Sequence, residues 1–231
     1  MNIINILPIK WFGDINAYMS STVRILTVGL NPSDKEFREK EGDSFSSGLR
    51  FPDYKVGDEV SLENALNDYF EKNPYRKWFN TGFEPILNGM DASYYSCRKL
   101  ENRAIHTDIC SPWATDPTWM NLPSEDKKEL FAEGFQLWKD LVNNISPDII
   151  LFSIPNEYVK ELLINDVTEL CQIPTKKDGQ LRKSPIIIKK GTYGKAIAVF
   201  GRTRNVPFGS LGKKQKEELG KKIQKFYHSH K

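Results

Sequence analysis

The chain has 231 residues, enough to bury the core of one domain, with 39% hydrophobic, 12% aromatic and 27% charged residues of both signs, which excludes wholesale disorder. No segment nears the roughly 18 apolar residues of a membrane span, and Met1-Asn2-Ile3-Ile4-Asn5 lacks the basic region and cleavage site of a signal peptide, so a cytoplasmic protein with no membrane partner is expected. The net charge of +3 permits a nucleic-acid partner without requiring one, and Cys97, Cys110 and Cys171, widely spaced with no CxxC, read as free thiols with no zinc site.

In chain order, Val23 to Val28 is the first of three short apolar runs that predict central parallel strands, and it ends in Gly29-Leu30-Asn31-Pro32-Ser33. Residues 34–60 are polar and read as a loop-rich insertion. Ser61 to Phe70 predicts a helix, opened by Ser61 in an imperfect capping box (Asn64 replaces the preferred Glu), with Leu62, Ala65, Leu66 and Tyr69 on one face. Arg103 to Ile109 is a less apolar candidate for a fourth strand. Ser124 to Asn144 predicts a long helix, with Ser124 as cap, Glu125 and Asp126 at its positive end, and a stripe of Leu130, Phe131, Phe135, Trp138 and Leu141.

The second apolar run, Asp148 to Ser153, leads into a short helix over Asn156 to Leu163. Residues 172–184 read as another loop-rich insertion. Pro185 to Ile188 reads as an edge strand or the approach to the last central run, Lys195 to Phe200. Gly212 to Tyr227 predicts a basic closing helix with Leu219, Ile223 and Phe226 inward. Strands alternating with helices, without repeats or low-complexity tracts, predict one α/β domain over residues 1–231.

Ligands of an open parallel sheet bind beyond the carboxyl ends of its strands. The segments to search are therefore Gly29 to Ser33, Asp108 to Trp119, Ser153 to Tyr158 and Gly201 to Leu211. In the first, Gly29 permits a close backbone approach, Pro32 fixes the turn, and the Asn31 amide both donates and accepts. It is not a phosphate-cradling loop, since GxxxxGK[ST] is missing. Taken locally, Asn31 is either a ligand-facing amide or the side chain of a plain Asx turn.

Gly29-Leu30-Asn31-Pro32-Ser33 resembles the first motif of the uracil-DNA glycosylase superfamily, in the Gly-x-Asn-Pro form of its mismatch-specific and single-strand-selective branches. Gly48-Leu49-Arg50-Phe51 resembles the segment whose aromatic ring stacks on the flipped base. His106 to Pro112 resembles the strand end whose polar side chain reads that base, and Ile150 to Ser153 resembles the third strand unit. Asn205-Val206-Pro207-Phe208-Gly209-Ser210-Leu211 resembles the late loop that enters the minor groove. The motifs are short, and their order over residues 23 to 226 carries the resemblance.

The resemblance implies a three-layer α/β/α sandwich around a central four-stranded parallel sheet. It also implies a monomeric, metal- and cofactor-independent hydrolase that takes a base out of DNA and cleaves its glycosidic bond. Asn31 stands at the water-positioning site, with Gly29, Leu30 and Ser33 around the base. Phe51, or Phe45 in competition with it, would stack on the base. Asn205 or Arg204 would replace the usual His of the late loop. Phe208 is the candidate wedge, and Arg202, Arg204, Lys213, Lys214 and Lys216 are candidate phosphate contacts.

Asp108 departs from the pattern: an ionised carboxylate only accepts, which suits the exocyclic amine of cytosine and mismatches uracil O4. Ser33 stands where uracil-specific enzymes carry a bulky Tyr, leaving room for a substituent at C5. Together they favour a cytosine-type or 5-modified cytosine substrate. Uracil or mismatched thymine, a non-catalytic nucleic-acid binder on the same fold, and an unrelated nucleotide enzyme remain the alternatives. Trp113, Trp119 and Trp138 read as packing residues, and His106 as a satisfied histidine. Asn73-Pro74-Tyr75-Arg76-Lys77-Trp78 reads as surface packing or as site lining.

Overall fold

The computed structural model describes the backbone of residues 2–3 and the whole of residues 8–40, 43–201 and 206–230. Its strands are β1 (Asn2–Ile3), β2 (Ile25–Gly29), β3 (Ala92–Ser93), β4 (Asn102–Asp108), β5 (Thr115–Asp116), β6 (Ile149–Phe152), β7 (Asn165–Thr175), β8 (Leu181–Tyr193) and β9 (Ala196–Phe200). Its helices are α1 (Ile15–Met19), α2 (Glu59–Asn67), α3 (Arg76–Thr81), α4 (Glu84–Gly89), α5 (Ser124–Ile145), α6 (Asn156–Glu161) and α7 (Lys213–Ser229).

Seven strands form one mixed sheet in the order β3-β4-β2-β6-β9-β8-β7, while β1 and β5 form a separate antiparallel pair. From β3 to β9 every neighbour is parallel, and β8 and β7 then add antiparallel. All four expected parallel strands are present and adjacent. The expected four-stranded sheet is nevertheless too small, because β3 extends one side and a long hairpin extends the other. The residues read as a loop-rich insertion at 172–184 belong largely to that hairpin, and Pro185 to Ile188 lies inside β8, with β7 as the edge. Its turn runs through Lys176 to Gln180, where Lys176 N donates 2.7 Å to Gln180 O and Gly179 takes a φ of +87°. Asp178-Gly179 between β-rich runs was the available hairpin signal.

The parallel strands form where β-branched and aliphatic residues run without interruption, because both of their faces are covered. All residues of β2 and β6 are buried. Helix α5 buries Leu130 and Trp138 of the expected stripe together with Val142 and Ile145, while Phe131, Phe135 and Leu141 are partly buried; Trp138 meets Phe152 of β6. Ser124 is not its cap: Pro123 stands there and makes no side-chain bond. In α2 the capping side chain is Asp58, which accepts from Val60 N at 3.0 Å and Ser61 N at 3.3 Å, so the helix starts before the expected Ser61. The closing helix α7 crosses α4 at Gly89 and Gly220, where a Cβ on either would strike backbone of the other helix. No helix among the described residues is long and apolar enough to cross a membrane.

Candidate functional site

The carboxyl ends of β2, β4, β6 and β9 point to one rim of the sheet, and the loops that follow them enclose a cavity of about 520 Å³. That size lies within the usual range of small-ligand sites, about 300–1,000 Å³. The first loop supplies Gly29, Leu30, Asn31 and Ser33; the second supplies Asp108 and, beyond β5, Thr118 to Met120. Ser153 and Pro155 come from the loop after β6, and Val206 and Pro207 from the loop after β9. All four segments that follow apolar runs thus reach the same cavity.

Two backbone bonds tie the first loop to the second: Ile109 N donates 3.1 Å to Gly29 O, and Cys110 N donates 2.8 Å to Leu30 O. Gly29 is paired with Asp108 in the sheet, and a Cβ there would sit 2.5 Å from Asp108 Oδ1. The glycine is therefore a matter of space: any side chain would displace the carboxylate. Asn31 Nδ2 donates 3.0 Å to Thr115 Oγ1, which orients the amide. Its carbonyl oxygen accepts from no described residue. Ser33 caps the short 3₁₀ turn Asp34–Phe37, its hydroxyl accepting from Lys35 N at 3.3 Å.

Asp108 is buried and faces His106, with Oδ1 3.5 Å from Nε2. On its other side the imidazole shares a 2.8 Å bond between Nδ1 and Thr27 Oγ1, and that hydroxyl in turn meets the Tyr94 hydroxyl. A buried polar chain thus runs from the sheet interior to the cavity wall. His106 is satisfied, as expected of a lone strand histidine, and it also lines the cavity. Burial holds the Tyr94 phenol well above its ordinary pKa.

Several site residues were not legible as such. Glu36 lines the cavity from the 3₁₀ turn, is buried, and accepts from the Tyr69 hydroxyl at 3.2 Å. Burial, followed by the nearby Asp108 charge, pushes its carboxyl up to about 8. Tyr75 and Trp78 form the aromatic lining, with the Trp78 ring centroid 5.1 Å from that of His106. Of the Asn73 to Trp78 segment, Tyr75 and Trp78 line the site, while Asn73, Arg76 and Lys77 lie on the surface, so each of the two readings its sequence allowed holds for part of it. Trp119 also reaches the cavity, held by its Nε1 donating 2.9 Å to the Tyr158 hydroxyl.

Other expectations need correction. Phe51 is 1% exposed and packs among Phe37, Tyr69 and Phe12, so it belongs to the core and not to the cavity wall. Phe45 packs on Phe37 at 4.9 Å and is likewise absent from the wall. Phe208 is 2% exposed, adopts a φ of +49°, and sits edge-on to Phe83, which rules it out as a wedge in this conformation. Lys216 is buried; its ammonium donates to the carbonyls of Thr81 and Pro207, so it anchors the late loop and contacts no outer phosphate. Burial lowers it to about 8. Lys213 and Lys214 are exposed at the start of α7. Arg202, Arg204 and Asn205 lie outside the described residues.

A second groove of about 630 Å³ adjoins the cavity, sharing Lys35, Tyr75 and Thr118 with it. Three of its charges are mutually paired: Arg38 pairs with Asp34 at 3.2 Å and with Asp116 at 2.7 Å. Cys97, Cys110 and Cys171 are free thiols. No family model and no curated protein matches the chain.

Proposed function

We propose that this chain is a DNA base glycosylase with a uracil-DNA glycosylase-like site, hydrolysing the bond between a flipped pyrimidine and its sugar. One observation carries the reading: Asn31, Asp108 and the Val206-Pro207 segment, 176 positions apart at the extremes, line one cavity at the carboxyl ends of parallel strands. The resemblance in sequence requires that convergence, and the parallel strand order provides it.

The chemistry asks little of the protein. As the bond from the sugar C1′ to the base nitrogen breaks, a water oxygen bonds to C1′ and gives up a proton, while the base leaves with the bond's electron pair and is protonated. The products are a free base and an abasic sugar. Asn31, oriented by Thr115, holds the water through its free carbonyl oxygen; an amide is a weak base, so this is positioning rather than strong proton abstraction. Asp108 and His106 form the polar wall that meets the base, and Trp78 and Tyr75 supply the aromatic surface assigned by sequence to Phe51. Base–aromatic stacking of this kind is worth about 1–3 kcal/mol. The small Ser33 side chain on the wall supports a pyrimidine substituted at C5.

The test is a single-turnover assay on oligonucleotides carrying uracil, mismatched thymine, cytosine or 5-modified cytosines, with abasic sites scored by alkaline cleavage. Release of one of these bases, lost in Asn31→Ala with DNA binding retained, is the expected result. Binding without release of any base would overturn the enzymatic reading and favour a non-catalytic binder.

A further inference from the structure

Asp108 by itself can only accept hydrogen bonds, yet every pyrimidine edge opposite the sugar presents at least one acceptor beside a donor or another acceptor. Glu36 completes the wall. It is buried on the same cavity, and the Tyr69 hydroxyl donates to its Oε2. Among the described residues no lysine or arginine forms an ion pair with it. The Arg50 guanidinium, whose charge reaches Glu36, is spent on the Glu36 backbone carbonyl and on Asn73 O. A carboxyl buried without a cation, and facing another carboxylate, is held in its neutral form because ionisation would put two like charges in one low-dielectric site.

We propose that Glu36 is the hydrogen-bond donor of this pocket, a neutral carboxyl that works beside the Asp108 acceptor to read an edge carrying one donor and one acceptor side by side. The inference rests on the base-site reading above. The matching ligand chemistry is an amidine edge, as in cytosine, or a lactam edge, as in uracil and thymine. In the first, Glu36 donates to the ring nitrogen and Asp108 accepts from the exocyclic amine; in the second, Glu36 donates to the exocyclic oxygen and Asp108 accepts from the ring N–H. The mismatch that Asp108 alone poses for uracil disappears once Glu36 supplies the donor.

The titratable groups about Glu36 are Asp108 of β4, Tyr69 after α2 and Arg50, which act on its carboxyl, and Lys35 and His106, which line the same cavity. The direction of its titration follows from burial first and Asp108 second, with the Ser33 amide, Tyr69 and Arg50 opposing. Above about pH 8 the donor is lost and a second negative charge faces the base.

The test measures, by fluorescence anisotropy, binding of short single strands carrying one non-hydrolysable 2′-fluoroarabino nucleotide with cytosine or uracil, each relative to a strand with a tetrahydrofuran abasic analogue. The ratio removes pH effects on backbone contacts. The wild-type base-to-abasic ratio is expected to fall about fourfold from pH 6.5 to 8.5 for the preferred base, a range that ends before uracil N3–H itself ionises, and to stay flat across that range in Glu36→Gln, whose amide keeps a donor at every pH. Which base shows the fall distinguishes the amidine from the lactam edge. Should Glu36→Gln not fold, Asp108→Asn serves instead: removing the facing charge moves the midpoint of the fall to lower pH, and an unmoved midpoint overturns the proposal. A base preference that is independent of pH, or equally pH-dependent in Glu36→Gln, overturns the role of Glu36 and leaves the base site standing. No preference for either base over the abasic strand overturns both.

Discussion

The two halves of the large sheet differ in what they bury and in what they can build. In the parallel half, β2 and β6 are buried at every residue. In the antiparallel half, most of β7 is exposed, and β8 buries Ile186, Ile188 and Gly191 among partly or fully exposed neighbours. Parallel strands covered on both faces send all their carboxyl ends to one rim, so the loops that follow are forced together; a hairpin returns its chain to the other end. The cavity, its buried carboxyls and its aromatic lining all belong to the parallel half. The hairpin touches it nowhere among the lining residues.

Substitutions break or sharpen that contrast. The largest effect is expected at the rim: Asn31→Ala should lower single-turnover base release by about 100-fold or more, the scale of losing one positioned polar group, with thermal stability little changed. In the parallel core, Leu151→Ala should cost about 2–5 kcal/mol in denaturant unfolding, because Leu151 is fully buried and cannot be replaced by relaxation of both covering layers. Gly29→Ala should cost about 1–3 kcal/mol by overpacking against Asp108 and should also depress base binding, so a variant with normal stability and binding would contradict the close approach.

Glu36 ties stability to pH. Its folded pKa of about 8 lies above the ordinary 4.5, so the native state holds more protons than the unfolded chain between those values. Its contribution is therefore fully present below about pH 4.5 and is lost as pH rises through about 8. Unfolding free energy measured across that window should fall more steeply in the wild type than in Glu36→Gln. The smallest effect is expected in the hairpin, where Leu181 is 76% exposed. Leu181→Ala should stay within about 0.5 kcal/mol of the parent, and a large loss there would mean that the hairpin is covered in solution.

The central strands were legible because continuous aliphatic runs have one stable home, between two covering layers. The hairpin was less so. An edge strand with one solvated face carries polar residues on half its positions, and β7 even accommodates Pro174 near its end, where an edge tolerates it. Phe51 and Phe208 illustrate the limit at the site. A ring beside a Gly- or Pro-containing motif reads equally as a ligand platform or as core, and only the packing of Phe12, Phe37 and Tyr69 around Phe51, and of Phe83 against Phe208, decided for core.

The amino-acid sequence by itself determined the parallel strands, the long amphipathic helix and the Gly29 to Ser33 turn, since each depends on residues within a few positions of one another. Tertiary structure alone decided the company that turn keeps. Glu36, Tyr75, Trp78, His106 and Asp108 are scattered over more than 70 positions, and their neighbourhood is set by strand order and by two backbone bonds between loops. Burial, which makes Glu36 a donor where the same residue on a surface would be an acceptor, is a property of the assembled wall and of no local segment.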